Sequence, residues 1–152
     1  MSRLERAQFF PVPVERAWQF FTDVDMLDRF TPDFFRLEVL TPDRPALFPG
    51  QFIDYRLRLY GIPFAWITQI ESVDYPHSFI DRQARGPYAS FRHQHLFYSI
   101  EGGCLKVDKL DYQVGWGPLG PLLDALLVRP ALEAIFETRS QRAAELLAGR
   151  AD

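Results

Sequence analysis

Apolar residues near the carboxyl end of the chain recur at helical spacing. Leu119, Leu122, Leu123 and Leu126 lie three or four residues apart, which places them on one face of an α-helix. A second stripe, turned well away from the first, follows Pro130 and comprises Leu132, Ile135, Phe136, Ala143, Leu146 and Leu147. Because proline lacks an amide hydrogen, we expect Pro130 to kink or restart the helix. The two halves would then bury different faces against a sheet or a partner.

A helix of roughly 30 residues spans about 45 Å, so a sheet is expected to curl around it. Earlier in the chain, residues 4–12 have the pattern of a strand that ends in prolines. Val14, Ala17, Trp18 and Phe21 then repeat at helical spacing and predict a first short helix. A second short helix is predicted through Val24, Leu27 and Phe30.

From residue 35 onward the apolar positions alternate with a period of two, which is typical of strands. Six such runs cover residues 35–41, 51–60, 63–75, 78–85, 89–101 and 105–114. The breaks between most of them are short and contain Gly or Pro, which predicts hairpins and an antiparallel meander. In the run 51–60, Ile53, Tyr55, Leu57 and Leu59 share a face that we expect to be core, opposite Asp54, Arg56 and Arg58.

Composition narrows the class of protein. A chain of 152 residues is expected to form a single domain over residues 1–152. The 15% aromatic content, with 14 Phe, favours a thick interface between sheet and helix or a lined cavity. A net charge of -3 gives no reason to expect nucleic acid or an anionic membrane as a partner. The single Cys104 fits a reducing cytosol, and no secretory signal or membrane-inserting stretch is evident.

The order of strand, two short helices, six strands and a long helix resembles the helix-grip fold of the START-like superfamily, also called SRPBCC or Bet v 1-like. The segments FIDRQARGPY (79–88), FRHQHLF (91–97) and GPLG (117–120) are similar to bacterial ligand-binding members grouped with polyketide cyclases and dehydrases. This resemblance implies an α+β fold in which about seven antiparallel strands wrap the C-terminal helix. It also implies either ligand binding or aldol-type cyclisation or dehydration, with a His and an Asp as base and orienter.

The sharpest local feature is the alternation of Phe91, His93, His95 and Phe97, which places all four on one face of a strand. The flanking phenylalanines indicate that this face is buried. Two imidazoles in a cavity can orient a polar ligand group or move a proton. The alternative is that both are structural and bonded within the fold.

Neighbouring strands offer polar partners for this pair. Through the turn at Gly86, Asp81 and Gln83 come near the two histidines, and the following strand offers Asp108 and Tyr112. We therefore expect one polar cluster of these residues with His93 and His95. The pattern of strand 78–85 leaves open which of its faces points inward.

Several aromatic residues are predicted to line a cavity, namely Phe64, Trp66, Trp116 and Phe136 together with Phe91 and Phe97. Trp116 lies in a Gly-Trp-Gly-Pro turn that could gate an entrance. The C-terminal helix is expected to expose a solvated face that contains Arg139, Arg142, Arg150, Glu133, Glu137 and Glu145.

No cofactor and no metal are predicted, because the histidines lack further ligands at a recognisable spacing and no phosphate-binding glycine loop is present. The favoured function is binding of a small, mostly hydrophobic molecule, lipid-like or polycyclic, in a cavity between the sheet and the last helix. The alternatives are a cyclase- or dehydratase-like enzyme and a protein-interaction domain with a filled core. A void above about 300 Å³ with both histidines on its wall would separate the first two from the third.

Overall fold

Seven strands and a C-terminal helical segment make up most of the chain. The computed structural model describes residues 1–23, 35–41, 46–59 and 61–149. The strands are β1 (Ser2–Phe10), β2 (Phe35–Val39), β3 (Phe52–Leu59), β4 (Ile62–Asp74), β5 (Ser78–Arg85), β6 (Ser90–Ile100) and β7 (Gly103–Gln113). Helix α1 (Val14–Thr22) follows β1, as the spacing of its apolar residues predicts. The second predicted short helix, through Val24, Leu27 and Phe30, lies outside the described residues.

All seven strands belong to one antiparallel sheet in the order β1-β7-β6-β5-β4-β3-β2. The meander predicted for β2 to β7 is confirmed, and β1 closes the far edge by pairing with β7. At the β6–β7 hairpin, Gly102 adopts a φ of 86°, which favours glycine. A side chain on Gly103 would lie 2.2 Å from the carbonyl oxygen of Phe10, so glycine allows β7 to approach the end of β1.

The C-terminal segment is one continuous helical path with a change of geometry in its first half. A 3₁₀ turn (Gly117–Leu119) leads into α2 (Gly120–Leu123), a π-helical turn (Asp124–Val128) and then α3 (Arg129–Gly149). The predicted long helix is therefore confirmed, and its regular α-helical part begins at Arg129, next to Pro130; a kink of the helix axis at Pro130 stays a prediction. The irregular turn lies just before Pro130, where the Arg129 N–H donates to the Asp124 carbonyl five residues back.

The two apolar stripes of this segment differ in whether the sheet covers them. Leu132, Ile135, Phe136 and the later members of the second stripe pack against the sheet. The first stripe does not pack there, since Leu119, Leu122 and Leu126 expose between 56% and 66% of their surface. The expectation that the sheet covers the first stripe is therefore not met. Among the described residues, no helix combines the length and apolarity needed to cross a membrane.

The core is divided into three apolar clusters on the inner face of the sheet. One joins α1 to the end of α3 around Trp18 and Phe97, and one joins β1 and β7 to α3 around Leu110 and Phe136. The third holds Ile53, Tyr55, Leu57 and Ile70 of β3 and β4. Their burial, with Asp54, Arg56 and Arg58 exposed, confirms the predicted faces of β3. A cavity lies between these three clusters.

Candidate ligand cavity and its histidine pair

The cavity lies between the sheet and α3 and has a volume of about 190 Å³. Each of the three core clusters contributes to its wall, through residues such as Phe79, Leu57 and Phe136. Trp66, Tyr88 and Phe91 add three further aromatic rings. The volume is below the roughly 300 Å³ expected, although both histidines are on the wall as that expectation required. The criterion set from the sequence is therefore met in the position of the histidines and not in the volume of the cavity.

The two histidines form the centre of a stack of rings on the cavity wall. The ring of His95 lies flat against Phe79, with 4.0 Å between centroids, and against His93 on its other side at 3.7 Å. Phe136 of α3 meets His93 at 5.6 Å with its ring tilted by 61°. Because β6 alternates its side chains, His93 and His95 reach the same interior face, and the flanking rings hold both imidazoles in place.

Each imidazole donates to a carboxylate on an adjacent strand. His93 Nε2 lies 2.8 Å from Asp108 Oδ1 on β7, and His95 Nε2 lies 2.7 Å from Asp81 Oδ2 on β5. Burial is the largest influence on the His93 ring and lowers its pKa to about 4, so the ring is neutral near pH 7. Hydrogen bonds and cations hold the pKa values of Asp81 and Asp108 below the usual range despite burial. Both carboxylates are ionised acceptors, which places the imidazole protons on Nε2.

The second nitrogen of His95 is in a different position. Its Nδ1 is buried, has no hydrogen-bond partner among the residues that the structure describes, and lies 3.5 Å from Asp108 Oδ1. Asp81 and Asp108 thus lie beside the two nitrogens of the His95 ring, and the hydrogen bond to Asp81 fixes the orientation of the ring.

Two cations complete the polar cluster, and neither was predicted to belong to it. Lys106 contacts Asp108, is almost fully buried, and lies 4.6 Å from the ring centre of Phe21. Arg139 of α3 borders the main cavity and also a smaller one of about 60 Å³ on the β1–β7 side. Burial lowers the pKa of Arg139, while the charges of Asp108 and Asp81 raise it.

The structure brings together most of the predicted polar residues. Asp81, His93 and His95 border the main cavity, and Asp108 borders the smaller one behind the histidines. The side chains of β5 that face inward are therefore those on the parity of Phe79, which resolves the orientation that the sequence pattern left open. Among the predicted aromatic residues, the main cavity is bordered by Trp66, Phe91 and Phe136.

Gln83 and Tyr112 do not join this cluster. The Gln83 amide bonds both the N–H and the carbonyl of Tyr88, so it braces the β5–β6 turn. The hydroxyl of Tyr112 donates to Asp124 at 2.7 Å, near the start of the helical segment. Burial and this bond raise the pKa of Tyr112 to about 12. Both residues share the inward parity, but they lie too far along their strands to reach the histidines.

Three predicted aromatic lining residues are also placed elsewhere. Phe97 is buried in the cluster around Trp18, and Phe64 packs against the β3–β4 cluster. Trp116 exposes 75% of its surface and has a left-handed backbone with φ of 74°. Its prediction as cavity lining is wrong, because the turn directs the indole outward.

The prediction that Arg139 lies on a solvated face is wrong for a reason visible in the sequence. Position 139 is seven residues after Leu132, three after Phe136 and four before Ala143, so it falls on the buried stripe. The Arg/Glu pattern of the helix hid this spacing. Lys106 likewise precedes Asp108 by two residues and shares its inward face. Arg150 lies outside the described residues.

Ligand atoms of Asp81, His93 and His95 lie within 4.8 Å of one another, a spacing that could hold a metal ion. The chemistry of the set fits a metal poorly. The Nε2 atom of each histidine is engaged by a carboxylate, and Lys106 and Arg139 already supply two cations to the same cluster. The arrangement favours hydrogen-bonded imidazoles over metal ligands.

Comparison with known proteins agrees with this architecture. The family described as "Polyketide cyclase / dehydrase and lipid transport" matches residues 10–140. The chain belongs to this family. Its helix-grip fold is that of the START-like superfamily, and no curated protein sequence matches the chain.

Solved structures of similar fold match this protein over nearly its whole length. Ms6760 from Mycobacterium smegmatis is 24% identical with a TM-score of 0.71, and the match covers 97% of this chain and 92% of that one. TTHA0849 from Thermus thermophilus is 19% identical with a TM-score of 0.76, covering 99% and 100%. NE0264 from Nitrosomonas europaea is 17% identical with a TM-score of 0.74, covering 97% and 95%. At these identities the likeness shows the fold alone.

Proposed function

We propose that this protein binds a small, mostly hydrophobic molecule in the cavity between the sheet and α3. One observation carries the proposal: a mostly apolar cavity has a few charged or ionisable groups on its wall, namely His93, His95, Asp81 and Arg139. A largely preformed apolar pocket with a few convergent polar groups is the usual architecture of a small-molecule site. The family description, which includes lipid transport, supports the same interpretation.

The test uses N-phenyl-1-naphthylamine, a neutral aromatic probe that fluoresces in apolar surroundings. We expect saturable binding by the wild-type protein. Leu57 borders the cavity, so Leu57→Trp should fill part of it and weaken binding by about tenfold or more. The control is Leu122→Trp, which adds the same indole at an exposed position and should leave the affinity unchanged.

Thermal unfolding of both variants establishes that each is folded before the titrations are compared. Equal affinities for wild type, Leu57→Trp and Leu122→Trp would place the probe outside the cavity and refute the proposal. If the expected result is obtained, mass spectrometry of the small molecule that remains bound after purification would identify the natural ligand.

A second candidate function is acid–base catalysis of the cyclase or dehydrase type, and the two imidazole–carboxylate pairs favour it. An imidazole oriented by a carboxylate is a competent general base. The probe is 5-nitrobenzisoxazole, from which a base removes the ring C–H proton while the N–O bond breaks to give a cyanophenolate. We expect a saturable rate that His95→Gln abolishes and that His77→Gln, at an exposed site, retains. A rate equal to that of free imidazole would leave binding as the function.

A further inference from the structure

The first half of the C-terminal segment, residues 116–127, presents an apolar surface that the sheet does not cover. Five side chains form this apolar face, and each is more than half exposed: Trp116, Leu119, Leu122, Leu126 and Leu127. Together they expose on the order of 600 Å², which is at the upper end for the largest apolar patch of a monomeric protein. A patch of this size marks a surface that contacts a protein or a membrane.

The segment that carries the apolar face has almost no polar side chains. Its single charged residue, Asp124, is used inside the protein, where it accepts hydrogen bonds from the Ser2 hydroxyl at 2.6 Å and the Tyr112 hydroxyl at 2.7 Å. Every exposed residue between positions 116 and 127 is Trp, Gly, Pro, Ala or Leu. Within this segment, the indole N–H of Trp116 is therefore the one polar side-chain group that points to the surroundings.

A phospholipid bilayer suits such a face better than another protein does. A typical protein interface carries about ten hydrogen bonds, whereas the hydrocarbon of a bilayer offers none and penalises unpaired polar groups. Two copies of the apolar face would bury on the order of 1,200 Å² in total, the low end for a stable interface, and would supply almost no hydrogen bonds. Trp116 begins the segment, and tryptophan prefers the boundary between lipid headgroups and acyl chains.

The charged residues beside the apolar face are paired with one another, which favours a bilayer without net charge. Arg129 directly follows the π-helical turn, lies 3.3 Å from Glu133 and donates to the carbonyl oxygen of Arg3. Arg3 in turn pairs with Asp111 at 2.6 Å and with Glu5 at 3.6 Å. Two arginines and three carboxylates give no excess of positive charge that would attract anionic lipids. The border thus complements zwitterionic headgroups, whose charges also balance.

We propose that the apolar face docks on the surface of a phospholipid bilayer, with its leucines among the upper acyl carbons and Trp116 at the level of the headgroups. A helical segment that docks in this way lies in the plane of the interface and does not cross the bilayer. Val128, at the end of the π-helical turn, packs against the same core cluster as Tyr88 and Phe91, which border the main cavity. Docking goes beyond the proposed binding function and does not depend on it.

The test measures co-flotation of the full chain with vesicles of 1-palmitoyl-2-oleoyl-phosphatidylcholine. We expect wild type to float with the vesicles. Leu126→Glu places a charge within the apolar face and should reduce the partition coefficient by about tenfold or more. Vesicles that contain about 30% phosphatidylglycerol should bind wild type within about twofold of the phosphatidylcholine vesicles, because the border has no excess of positive charge.

The matched control is Ile100→Glu, which adds the same charge at an exposed apolar residue far from the apolar face. The segment follows Gln113 of β7, which pairs with Ser90 at the start of β6, whereas Ile100 is the last residue of β6. Ile100→Glu should therefore float as wild type does.

A second readout uses Trp116 itself. Thermal unfolding first establishes which variants fold, and if Leu126→Glu does not fold, quenching by phosphatidylcholine brominated on its acyl chains replaces flotation. We expect the lipid to quench wild-type tryptophan fluorescence, and this quenching should fall to less than about half in Trp116→Phe, which keeps an aromatic ring at the same exposed position.

Several outcomes would overturn the proposal: wild type that does not float, equal flotation of wild type and Leu126→Glu, or full quenching in Trp116→Phe. Flotation that requires phosphatidylglycerol would overturn it by assigning the contact to the arginines. A dimer in sedimentation equilibrium that Leu126→Glu dissociates would overturn it by assigning the apolar face to a second copy of the chain. Binding of N-phenyl-1-naphthylamine is measured without vesicles, so bilayer docking and cavity binding can fail separately.

Discussion

At the scale of single residues, burial and pairing act on His93 in opposite directions. Removal from water disfavours the imidazolium, whereas the hydrogen bond and charge of Asp108 favour it. Burial is the larger effect, which leaves a neutral ring that donates to a carboxylate. The folded structure therefore keeps His93 neutral, and protonation of His93 destabilises the folded structure.

The folded protein should lose stability as the pH falls from about 6.5 to about 4, because over this range His93 is protonated in the unfolded chain and not in the folded one. Its pKa is about 4 when folded and about 6.5 when unfolded, so the unfolded chain binds more protons between these values. The stabilisation, about 3 kcal/mol, is fully present above about pH 6.5 and is lost as the pH approaches 4. Urea unfolding at intervals across this range measures the slope.

The matched variants for this slope are His93→Gln, which keeps an amide donor without the titration, and His77→Gln, at an exposed position. The first should flatten the slope between about pH 4 and 6.5, and the second should leave it as in wild type. A slope that persists unchanged in His93→Gln would assign the pH dependence to other groups. The lowered pKa values of Asp81 and Asp108 predict a separate loss of stability below about pH 4.

The sequence predicts the histidine pair because alternation along a strand needs no tertiary information. His93 and His95 are two residues apart between phenylalanines, which places them on a buried face. Strand pairing also predicted Asp81 near His95, and the two are bonded, although Asp81 reaches His95 diagonally while facing His93 across the ladder. Gln83 was misassigned because its strand parity is right but its amide is used by the adjacent turn.

At the scale of elements, the C-terminal segment has two faces with different environments. The stripe of Leu132 and Phe136 packs against β1 and β7, while Leu119 and Leu122 before the π turn are exposed. Periodicity predicted both stripes equally well, because the spacing of apolar residues shows that they share one face of a helix. It does not show which surface covers that face. The rotation between the two stripes was attributed to Pro130, and the π turn that precedes Pro130 has no signature in the spacing of apolar residues alone.

Truncation of one leucine in each stripe should separate these environments. Leu132→Ala empties a buried position beside the cavity and should reduce the free energy of unfolding by about 2–5 kcal/mol. Leu122→Ala changes an exposed position and should have an effect within about 0.5 kcal/mol. Urea unfolding at neutral pH measures both. A loss above about 1 kcal/mol for Leu122→Ala would show that a partner covers the first stripe.

At the scale of the whole molecule, three apolar clusters stabilise the fold and leave the cavity between them. The cluster at the α1 end is densest in aromatic rings, and the cavity wall draws from the edges of all three. The order of elements predicted this fold, but the size of the cavity depends on how side chains from distant strands meet, which sequence spacing does not determine. Stability and ligand binding are therefore expected to depend on different parts of the interior.

Trp18 tests this separation. Its indole packs edge-on against Tyr75 and Phe79, each with 5.5 Å between ring centroids, and it belongs to the buried cluster without bordering the main cavity. Trp18→Ala should lower the free energy of unfolding by about 3–5 kcal/mol, because a large side chain is removed from a filled site. The affinity of the folded fraction for N-phenyl-1-naphthylamine should stay within about twofold of wild type, since the cavity wall is unchanged.

The control for Trp18→Ala is Trp116→Ala, which removes the same side chain from a position that is 75% exposed. Its effect on unfolding should be within about 0.5 kcal/mol, because little surface is removed from water there when the chain folds. Unfolding is followed by far-ultraviolet circular dichroism, which does not depend on the indole that each variant loses. A loss below about 1 kcal/mol for Trp18→Ala, or a large change in its probe affinity, would show that the α1 cluster and the cavity form one adaptable interior.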